Sequence, residues 1–439
     1  TDEIVAAGDC SGQDWGTMVS CEGRPAKHLG CPRDPNLKAY FTRVGELYAE
    51  WKPGSVWVDD DLSYRNRAPV SDPALALAGC FCERCRRGFD AVEGRVWTMD
   101  DLVAANRADA SVRRRWDDYQ CAGYAELTRT IAAAVHRISP ETTFGYQYGG
   151  RLSPEIPHGL FEGGGRPVRL RPGAGSYYDT NPHHQLLKAY RLEQILGDVR
   201  KEPWVGTCCP EIESCPRAFA CRTPQGLILE AFENLALGME TLSMFVADAR
   251  GSETTDFYAN RLFPRLAVAC GFLRDYRDAS RGTVPCGLSV DGDVPPDLVA
   301  CRGIPVVGAF GRSLGRLPSV SSVGVRTSGS GGATEGPEYE TRVMQIVSSV
   351  ALADFAVRAD AASGYRLPVL FDEATFAFVL PRVREDLSLA TLAVVNASID
   401  RQESVKLRLR GVSPEVRCVT WNEPEASPVE LRVERIGEF

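Results

Sequence analysis

The sequence of 439 residues contains no run of about 18 apolar residues, the length that a membrane-spanning helix requires, so no membrane partner is expected. It also lacks an excess of basic residues. Its formal net charge is −8, which argues against a nucleic-acid partner because phosphate binding requires clustered Lys and Arg. The first ten residues contain neither a basic segment nor a long apolar one, so the sequence predicts no signal peptide.

Histidine is scarce, with five residues, whereas cysteine is abundant, with 15. The shortage of His disfavours a nucleophilic Cys, which needs a His base nearby. An odd number of Cys does not suit a secreted protein whose cysteines are all paired in disulfides. We therefore expect a reducing, cytoplasmic compartment.

Up to about residue 280, short apolar runs alternate with long amphipathic segments. This pattern predicts strands at 55–58, 143–148, 176–179, 204–209 and 242–246, with 4–7 as a further candidate, and helices at 110–138, 183–197 and 223–238. Strands that alternate with helices indicate a parallel sheet with its site at the carboxyl edge. We predict a TIM-type (β/α)8 barrel over residues 1–280. Six strands are recognised where a barrel needs eight, so either the first strands are missing or irregular regions conceal the others.

The remaining sequence changes character twice. Residues 281–368 predict a small α/β domain, with a strand at 302–307, a Ser/Gly-rich linker at 319–337 and a helix at 342–358. Residues 369–439 show two-residue alternation, for example at 391–395, 405–409, 417–421 and 431–434. This alternation predicts a small antiparallel β-sandwich.

Three closely spaced cysteines, Cys80, Cys82 and Cys85, can present three thiolates to one metal ion. A closed structural zinc site needs a fourth ligand, for which Cys31 is the first choice and Cys21 the second. Four thiolates would leave no position for water, so such a metal would be structural. The alternative is that these residues are free cysteines buried in a core.

Two acidic clusters follow predicted strands. Asp59, Asp60 and Asp61 come directly after a buried apolar run, and side-chain alternation would direct Asp60 away from the other two. The alternative reading is a solvated loop or a helix N-cap. Glu211 and Glu213 follow the strand at 204–209, and they could instead be ion-pair partners for Arg217 or Arg222.

Two carboxyl groups in different environments are what glycoside hydrolysis usually requires. A mildly acidic surface is also compatible with a neutral sugar substrate. Other strand ends supply aromatic and polar residues that could shape a sugar pocket: Trp57, Tyr146, Tyr148, Tyr177, Tyr178 and Asp248.

The run Val56 to Asp61, the Cys-x-Cys-x-x-Cys motif that follows it and the earlier Cys31-Pro32 resemble the family 42 glycoside hydrolases. These are zinc-containing β-galactosidases built on a TIM barrel, with a trimerisation domain and a small β-domain after it. The resemblance implies Cys31, Cys80, Cys82 and Cys85 as the ligands of a structural Zn²⁺. It also implies a glycoside or oligosaccharide substrate and a homo-oligomer, either a trimer or a dimer.

By this resemblance Asp61 takes the position of the acid/base Glu, Asp60 that of an Asn, and Glu211 that of the nucleophile. Asp is one methylene shorter than Glu, so whether the enzyme would retain or invert the anomeric configuration stays open. The residues predicted to contact substrate are Asp59, Asp60, Arg65, Tyr146, Tyr148, Tyr178, Glu213 and Asp248.

Two other functions remain as alternatives. One is a non-catalytic carbohydrate-binding barrel, which the unusual acid position suggests. The other is a metal-dependent hydrolase in which Asp59 to Asp61 bind Mg²⁺ or Mn²⁺, although the His residues common in such sites are lacking.

Overall fold

The computed structural model describes residues 13–60, 62, 70–149, 153–173, 182–197, 199–213, 223–245, 256–289, 304–308, 310–316, 359–371, 377–396, 405, 407–410, 412, 419–422 and 425–428. Over these residues the chain is a mixed α/β protein. It divides into two units: unit 1 is Thr1–Arg171 with Arg200–Thr207, and unit 2 is Pro172–Val199 with Cys208–Phe439.

Unit 1 contains a short hairpin, a four-stranded sheet and a layer of helices. Its strands are β1 (Thr17–Val19), β2 (Pro25–Gly30), β3 (Ser55–Val58) and β4 (Thr143–Gly149), and β5 (Val168–Gly173) and β6 (Val205–Cys208) begin in it. Its helices are α1 (Pro35–Glu50), α2 (Glu83–Glu93), α3 (Met99–Ala108), α4 (Ala110–Ile138) and α5 (Glu155–Gly164), with a 3₁₀ turn at Pro73–Leu75. β1 and β2 are antiparallel. The sheet has the order β3-β4-β5-β6, and β3 runs parallel to β4.

The helices of unit 1 pack closely because glycines lie at their contacts. Helix α4 begins at an N-cap, where the Asp109 carboxylate accepts a hydrogen bond of 2.7 Å from the Ser111 amide. A Cβ at Gly45 of α1 would lie 3.3 Å from Val135 of α4, so these two helices approach to near contact. The ring of Phe144 on β4 lies 5.0 Å from that of His136 on α4, so this face of the sheet turns toward the helices.

Unit 2 combines three helices and a parallel strand pair with a mixed sheet and two antiparallel strand pairs. Its helices are α6 (Pro182–Gly197), α7 (Pro224–Ala236) and α8 (Phe263–Ala279), the last preceded by a π-helical turn at Phe257–Leu262. Its strands are β7 (Glu211–Glu213), β8 (Ser243–Phe245), β9 (Val284–Ser289), β10 (Arg312–Arg316), β11 (Val369–Phe371), β12 (Ala377–Val383), β13 (Leu389–Asn396), β14 (Leu407–Leu409), β15 (Val419–Asn422) and β16 (Glu425–Pro428).

The main sheet of unit 2 has the order β10-β9-β12-β13. β10 is parallel to β9, and β12 is antiparallel to both β9 and β13. The pairs β11-β14 and β15-β16 are antiparallel, and β7-β8 is parallel. On β12, the Arg382 guanidinium donates to the carbonyls of Leu235 at 3.2 Å and Ala236 at 3.3 Å, and so satisfies backbone acceptors at the end of α7.

The predicted strands at 55–58, 143–148, 204–209 and 242–246 are confirmed as β3, β4, β6 and β8, and the helices at 110–138, 183–197 and 223–238 as α4, α6 and α7. Of the strand expected at 302–307, Val306 forms an isolated parallel bridge to Leu288. The elements predicted at 4–7, 176–179, 319–337, 342–358 and 431–434 lie outside the described residues.

The mixed α/β class is confirmed, whereas barrel closure and the domain limits at 280/281 and 368/369 stay predictions. The sheet that contains β9, β10, β12 and β13 takes strands from both sides of residue 368. No helix in the described part of the chain is long and apolar enough to cross a membrane.

Candidate metal centre and acidic strand ends

Four cysteines from two stretches of unit 1 meet in one group. Cys31 directly follows β2, Cys80 and Cys82 precede α2, and Cys85 lies in the first turn of that helix. Their four Sγ atoms all lie within 4.8 Å of one another. Cys21, the second choice for the fourth ligand, is buried nearby but is outside this group, and its Sγ lies 3.8 Å from the Leu75 carbonyl oxygen.

The distances between the sulfur atoms fit a tetrahedral metal site. Cys31 Sγ lies 3.5 Å from Cys85 Sγ and 3.7 Å from Cys82 Sγ. A tetrahedral ion with metal–sulfur bonds of about 2.3 Å would hold its thiolates about 3.8 Å apart. Since three of the four residues are buried and every donor is a thiolate, the group could hold one soft or borderline metal ion.

The backbone around Cys80 is fixed by a buried glutamine. The Cys80 amide donates to Gln120 Oε1 at 3.1 Å, and Gln120 Nε2 donates back to the Cys80 carbonyl at 3.3 Å. Gly79 has a φ of +89°, and a Cβ there would lie 2.6 Å from Gln120 Cγ, so only glycine fits without strain. The Val19 amide donates to Cys80 Sγ at 3.4 Å, which orients this thiolate and stabilises its charge.

The four thiols are strongly coupled. Hydrogen bonds with Cys31, and then with Cys80 and Cys85, hold the pKa of the Cys82 thiol below its ordinary value. Hydrogen bonds with Cys31, and then with Cys80 and Cys82, raise the pKa of the Cys85 thiol. Four clustered sulfur atoms therefore resist ionising together unless a cation lies among them, and a bound metal would displace their protons.

Aromatic side chains enclose this group. Trp116 of α4 packs against Phe81, with ring centroids 4.8 Å apart, and against Phe89 of α2 at 5.1 Å. The Arg33 guanidinium lies 3.7 Å above the Tyr119 ring, and burial raises the pKa of Tyr119 to about 12. The cysteine group therefore belongs to a hydrophobic core that joins the β1-β2 hairpin to α2 and α4.

The first acidic cluster lies at the carboxyl end of β3. Asp59 and Asp60 are both exposed, and the Asp60 amide donates to Asp59 Oδ1 at 2.8 Å. Asp60 Oδ2 lies 2.8 Å from the position that a Cβ would take at Gly149, the last residue of the neighbouring β4. The Asp60 carboxylate therefore lies over the carboxyl edge of the parallel pair. Asp61 and Arg65 lie outside the described residues.

Two tyrosines predicted to contact substrate are buried on β4. Tyr146 and Tyr148 are each 1% exposed, and their rings stack with centroids 5.5 Å apart. Strand alternation puts them on the same face as Phe144, which turns toward the helices. Their contact with sugar stays a prediction, and it would require this packing to open. Tyr178 and Asp248 lie outside the described residues.

The second acidic cluster is on β7 in unit 2. Glu211 is 4% exposed and is paired in register with Ser243, whereas Glu213 is half-buried beside Phe245. Glu211 therefore has the buried position expected of a reacting carboxyl group. Because Asp60 and Glu211 belong to different units, their pairing in one site stays a prediction.

Sequence reasoning missed a group of buried charges in unit 2. Lys188 of α6 and Glu230 of α7 form an ion pair of 2.7 Å, with side chains 2% and 0% exposed, and Glu233 on the same helix is also fully buried. The available signal was the presence of charged residues within otherwise apolar helical stretches. Their pairing depends on how α6 packs on α7, which spacing along the chain does not reveal.

No protein-family model matches the chain, and no curated protein matches it. Solved structures do match. The β-galactosidase from Rahnella sp. R3 gives a TM-score of 0.43 at 11% identity, and the match covers 66% of this chain and 51% of that one. The β-galactosidase from Bacillus circulans sp. alkalophilus gives a TM-score of 0.40 at 14% identity, and the match covers 66% of this chain and 51% of that one. The β-galactosidase from Halorubrum lacusprofundi gives 0.40 at 10% identity, with coverages of 67% and 54%.

The chain thus spans about half the length of these solved structures. Since their identity to it is 10–14%, we infer function from the residues of the site and not from the matches.

Proposed function

We propose that the chain is a glycoside hydrolase that cleaves an O-glycosidic bond with two carboxyl groups, Asp61 as acid/base and Glu211 as nucleophile. The default substrate is a β-galactoside or a related oligosaccharide. The observation that carries this proposal is the Asp60 carboxylate over Gly149, where β3 and β4 end side by side. Ligands of parallel α/β sheets bind at that carboxyl edge, so the location of Asp59 and Asp60 there supports a catalytic role for the acidic residues that follow β3.

The proposed architecture is a TIM-type barrel followed by a small α/β domain and a β-sandwich, assembled as a trimer or dimer. The parallel pairs β3-β4 and β7-β8 and the helices between strands support the barrel. Antiparallel pairs among β11 to β16 support the β-rich end.

We further propose that Cys31, Cys80, Cys82 and Cys85 bind a structural zinc ion. The sulfur spacing and the four-thiolate donor set support zinc. A closed set of four protein ligands leaves no position for water or substrate. The ion would therefore stabilise the packing of the β1-β2 hairpin against α2 and α4 and take no part in bond cleavage.

The test is turnover of a panel of aryl glycosides by the wild-type chain and by Asp61→Asn and Glu211→Gln. Loss of a positioned acid/base usually lowers kcat by about 10²–10⁴-fold, and loss of the nucleophile should lower it at least as much. The matched control is Glu202→Gln, an exposed residue before β6, which should keep wild-type turnover. Circular dichroism should show that all variants fold.

Unchanged turnover by Glu211→Gln would remove the proposed nucleophile. Binding of sugar without turnover by the wild-type chain would favour the non-catalytic barrel. Activity lost in EDTA and restored by Mg²⁺, but not by Zn²⁺, would favour the metal-dependent hydrolase.

A further inference from the structure

Strand β4 has one face that packs on helices and an opposite face that contacts side chains from β3 and from the residue after it. Strand alternation puts Gly145, Gln147 and Gly149 on the side opposite Phe144. The Trp57 ring of β3 occupies the space over Gly145, and the Asp60 carboxylate lies over Gly149. Gln147 therefore lies between an aromatic ring and a carboxylate, on the strand that carries the proposed catalytic edge.

The aromatic ring next to Gln147 is held in place. Trp57 Nε1 donates to Ser55 Oγ at 3.1 Å, and the Arg171 guanidinium of β5 lies 5.2 Å from the ring centroid. A cation above the ring and a hydrogen bond at its edge limit its rotation. The Trp57 ring beside Gln147 therefore has a fixed orientation.

Gln147 has an unusual polar environment. Its Oε1 atom is buried and accepts no hydrogen bond from any residue that the structure describes, although the side chain as a whole is only half-buried. A buried acceptor in a folded protein is normally satisfied. Because the side chain is half-buried, rotation of its terminal amide can bring Oε1 to the exposed side, where a donor from solution can satisfy it.

The surroundings indicate the chemistry of that donor. The Asp60 carboxylate and the Arg171 guanidinium bring charges of opposite sign to this face, so it favours neither an anionic nor a cationic ligand. A carboxamide has both an acceptor and donors, so it can pair with neighbouring hydroxyls. Neutral polyhydroxyl groups, as in a sugar ring, match this arrangement.

We propose that Gln147 is a specificity-determining residue whose side-chain amide accepts a hydrogen bond from one hydroxyl of the sugar unit bound beside Asp60. This inference rests on the proposed glycosidase function. A protein group that hydrogen-bonds a substrate hydroxyl discriminates strongly against analogues that lack this hydroxyl, because the protein group is then left without a hydrogen-bond partner.

The test compares wild-type chain, Gln147→Ala and the near-isosteric Gln147→Leu on one aryl glycoside and on its series of monodeoxy analogues. On the parent glycoside, kcat/KM should fall by about 3- to 30-fold in both variants. One deoxy analogue should show a similar fall with the wild-type chain and almost no further fall with either variant. Thr143→Val, on the same face at the amino end of β4, should discriminate among the analogues as the wild-type chain does.

Equal losses on every analogue would indicate a structural role for Gln147 and overturn the inference, while the glycosidase proposal would stand. Undiminished discrimination by folded Gln147→Leu would overturn it in the same way. If the wild-type chain turns over no glycoside, both proposals fail together.

Discussion

The two units bury polar groups in opposite ways. Unit 1 brings together four thiols, which are neutral when protonated and can be buried at little cost until a metal ion ionises them. Unit 2 buries Lys188 against Glu230, whose charges must leave water as the chain folds. The first arrangement would gain stability from the proposed metal ion, and the second depends on the packing of two helices.

This difference explains why one group was visible in the sequence and the other was not. Cys80, Cys82 and Cys85 lie within six consecutive residues, so local structure alone brings them together. Lys188 and Glu230 lie on separate helices and meet only when α6 packs against α7. Each of the following changes should affect one unit more than the other.

The largest effect should come from the metal ligands. Cys85→Ser replaces a thiolate by a hydroxyl that binds zinc poorly, so stoichiometric zinc should be lost. Structural zinc contributes about 10–16 kcal/mol of apparent binding free energy in small domains at pH 7. We expect hydrogen exchange to accelerate strongly in peptides from α2 and far less in peptides from α6. Mass spectrometry of exchange and elemental analysis of zinc are the measurements.

The controls for this prediction are two other cysteines. Cys270→Ser, on the exposed surface of α8, and Cys21→Ser, buried outside the group, should both retain zinc. Because the ligands must lose their protons, zinc affinity should fall as pH is lowered, and the exchange difference should grow in parallel. A Cys85→Ser chain that still holds stoichiometric zinc would contradict the assignment.

The next effect should come from the buried ion pair of unit 2. Lys188→Met removes the cation 2.7 Å from the fully buried Glu230, and breaking such a pair typically costs about 3–5 kcal/mol of unfolding free energy. The double variant Lys188→Met/Glu230→Met removes both charges and should recover most of that loss. Denaturant unfolding gives the free energies. Single and double variants of equal stability would show that the pair is not coupled.

Much of the fold could be predicted because its signals are local. Thr223-Pro224 predicts the start of α7, and the Thr223 hydroxyl indeed accepts from the Gly226 amide at 3.0 Å. Short apolar runs identified β3 and β4 in the same way. Strand β5 was missed because its alternating Val168, Arg169, Leu170 and Arg171 resemble an exposed polar segment.

The candidate site was predicted less completely because its features depend on register between strands. Trp57 lies over Gly145, and Asp60 lies over Gly149, because β3 pairs with β4 in one particular register. The spacing of residues within either strand does not predict that register. The position of Gln147 between Trp57 and Asp60 follows from the same register. The motif around Cys80, by contrast, needed only one residue from a distant stretch, Cys31.

A smaller effect should come from Gly79, where backbone strain and crowding act together. Gly79→Ala places a Cβ 2.6 Å from Gln120 Cγ at a φ of +89°, and should cost about 2–3 kcal/mol. The matched control is Gly94→Ala at the end of α2, with a φ of +64° and no described atom within 4 Å of the added Cβ, which should cost about 1 kcal/mol. Thermal unfolding measures both. Equal shifts would mean that the Gln120 contact contributes nothing.

The smallest effects should come from helix caps, which allow one similar substitution to be compared between unit 1 and unit 2. Asp34 caps α1 through the amides of Asn36 at 2.9 Å and Leu37 at 3.3 Å, while Thr223 caps α7. Each Ala substitution should cost about 1 kcal/mol. The Asp34 carboxylate, however, also pairs at 3.3 Å with Arg84, which lies between the proposed ligands Cys82 and Cys85 on the chain.

The two caps should therefore differ in their coupling to the metal. Asp34→Ala should lower zinc affinity by about tenfold, measured by competition with a chromophoric chelator, since groups that support a ligand tune its metal. Thr223→Ala should leave the affinity unchanged. If both caps leave it unchanged, the Asp34–Arg84 ion pair does not support the cysteine group, and α1 is not coupled to metal binding. If Asp34→Ala alone changes it, the fold of unit 1 and its metal form one cooperative structure.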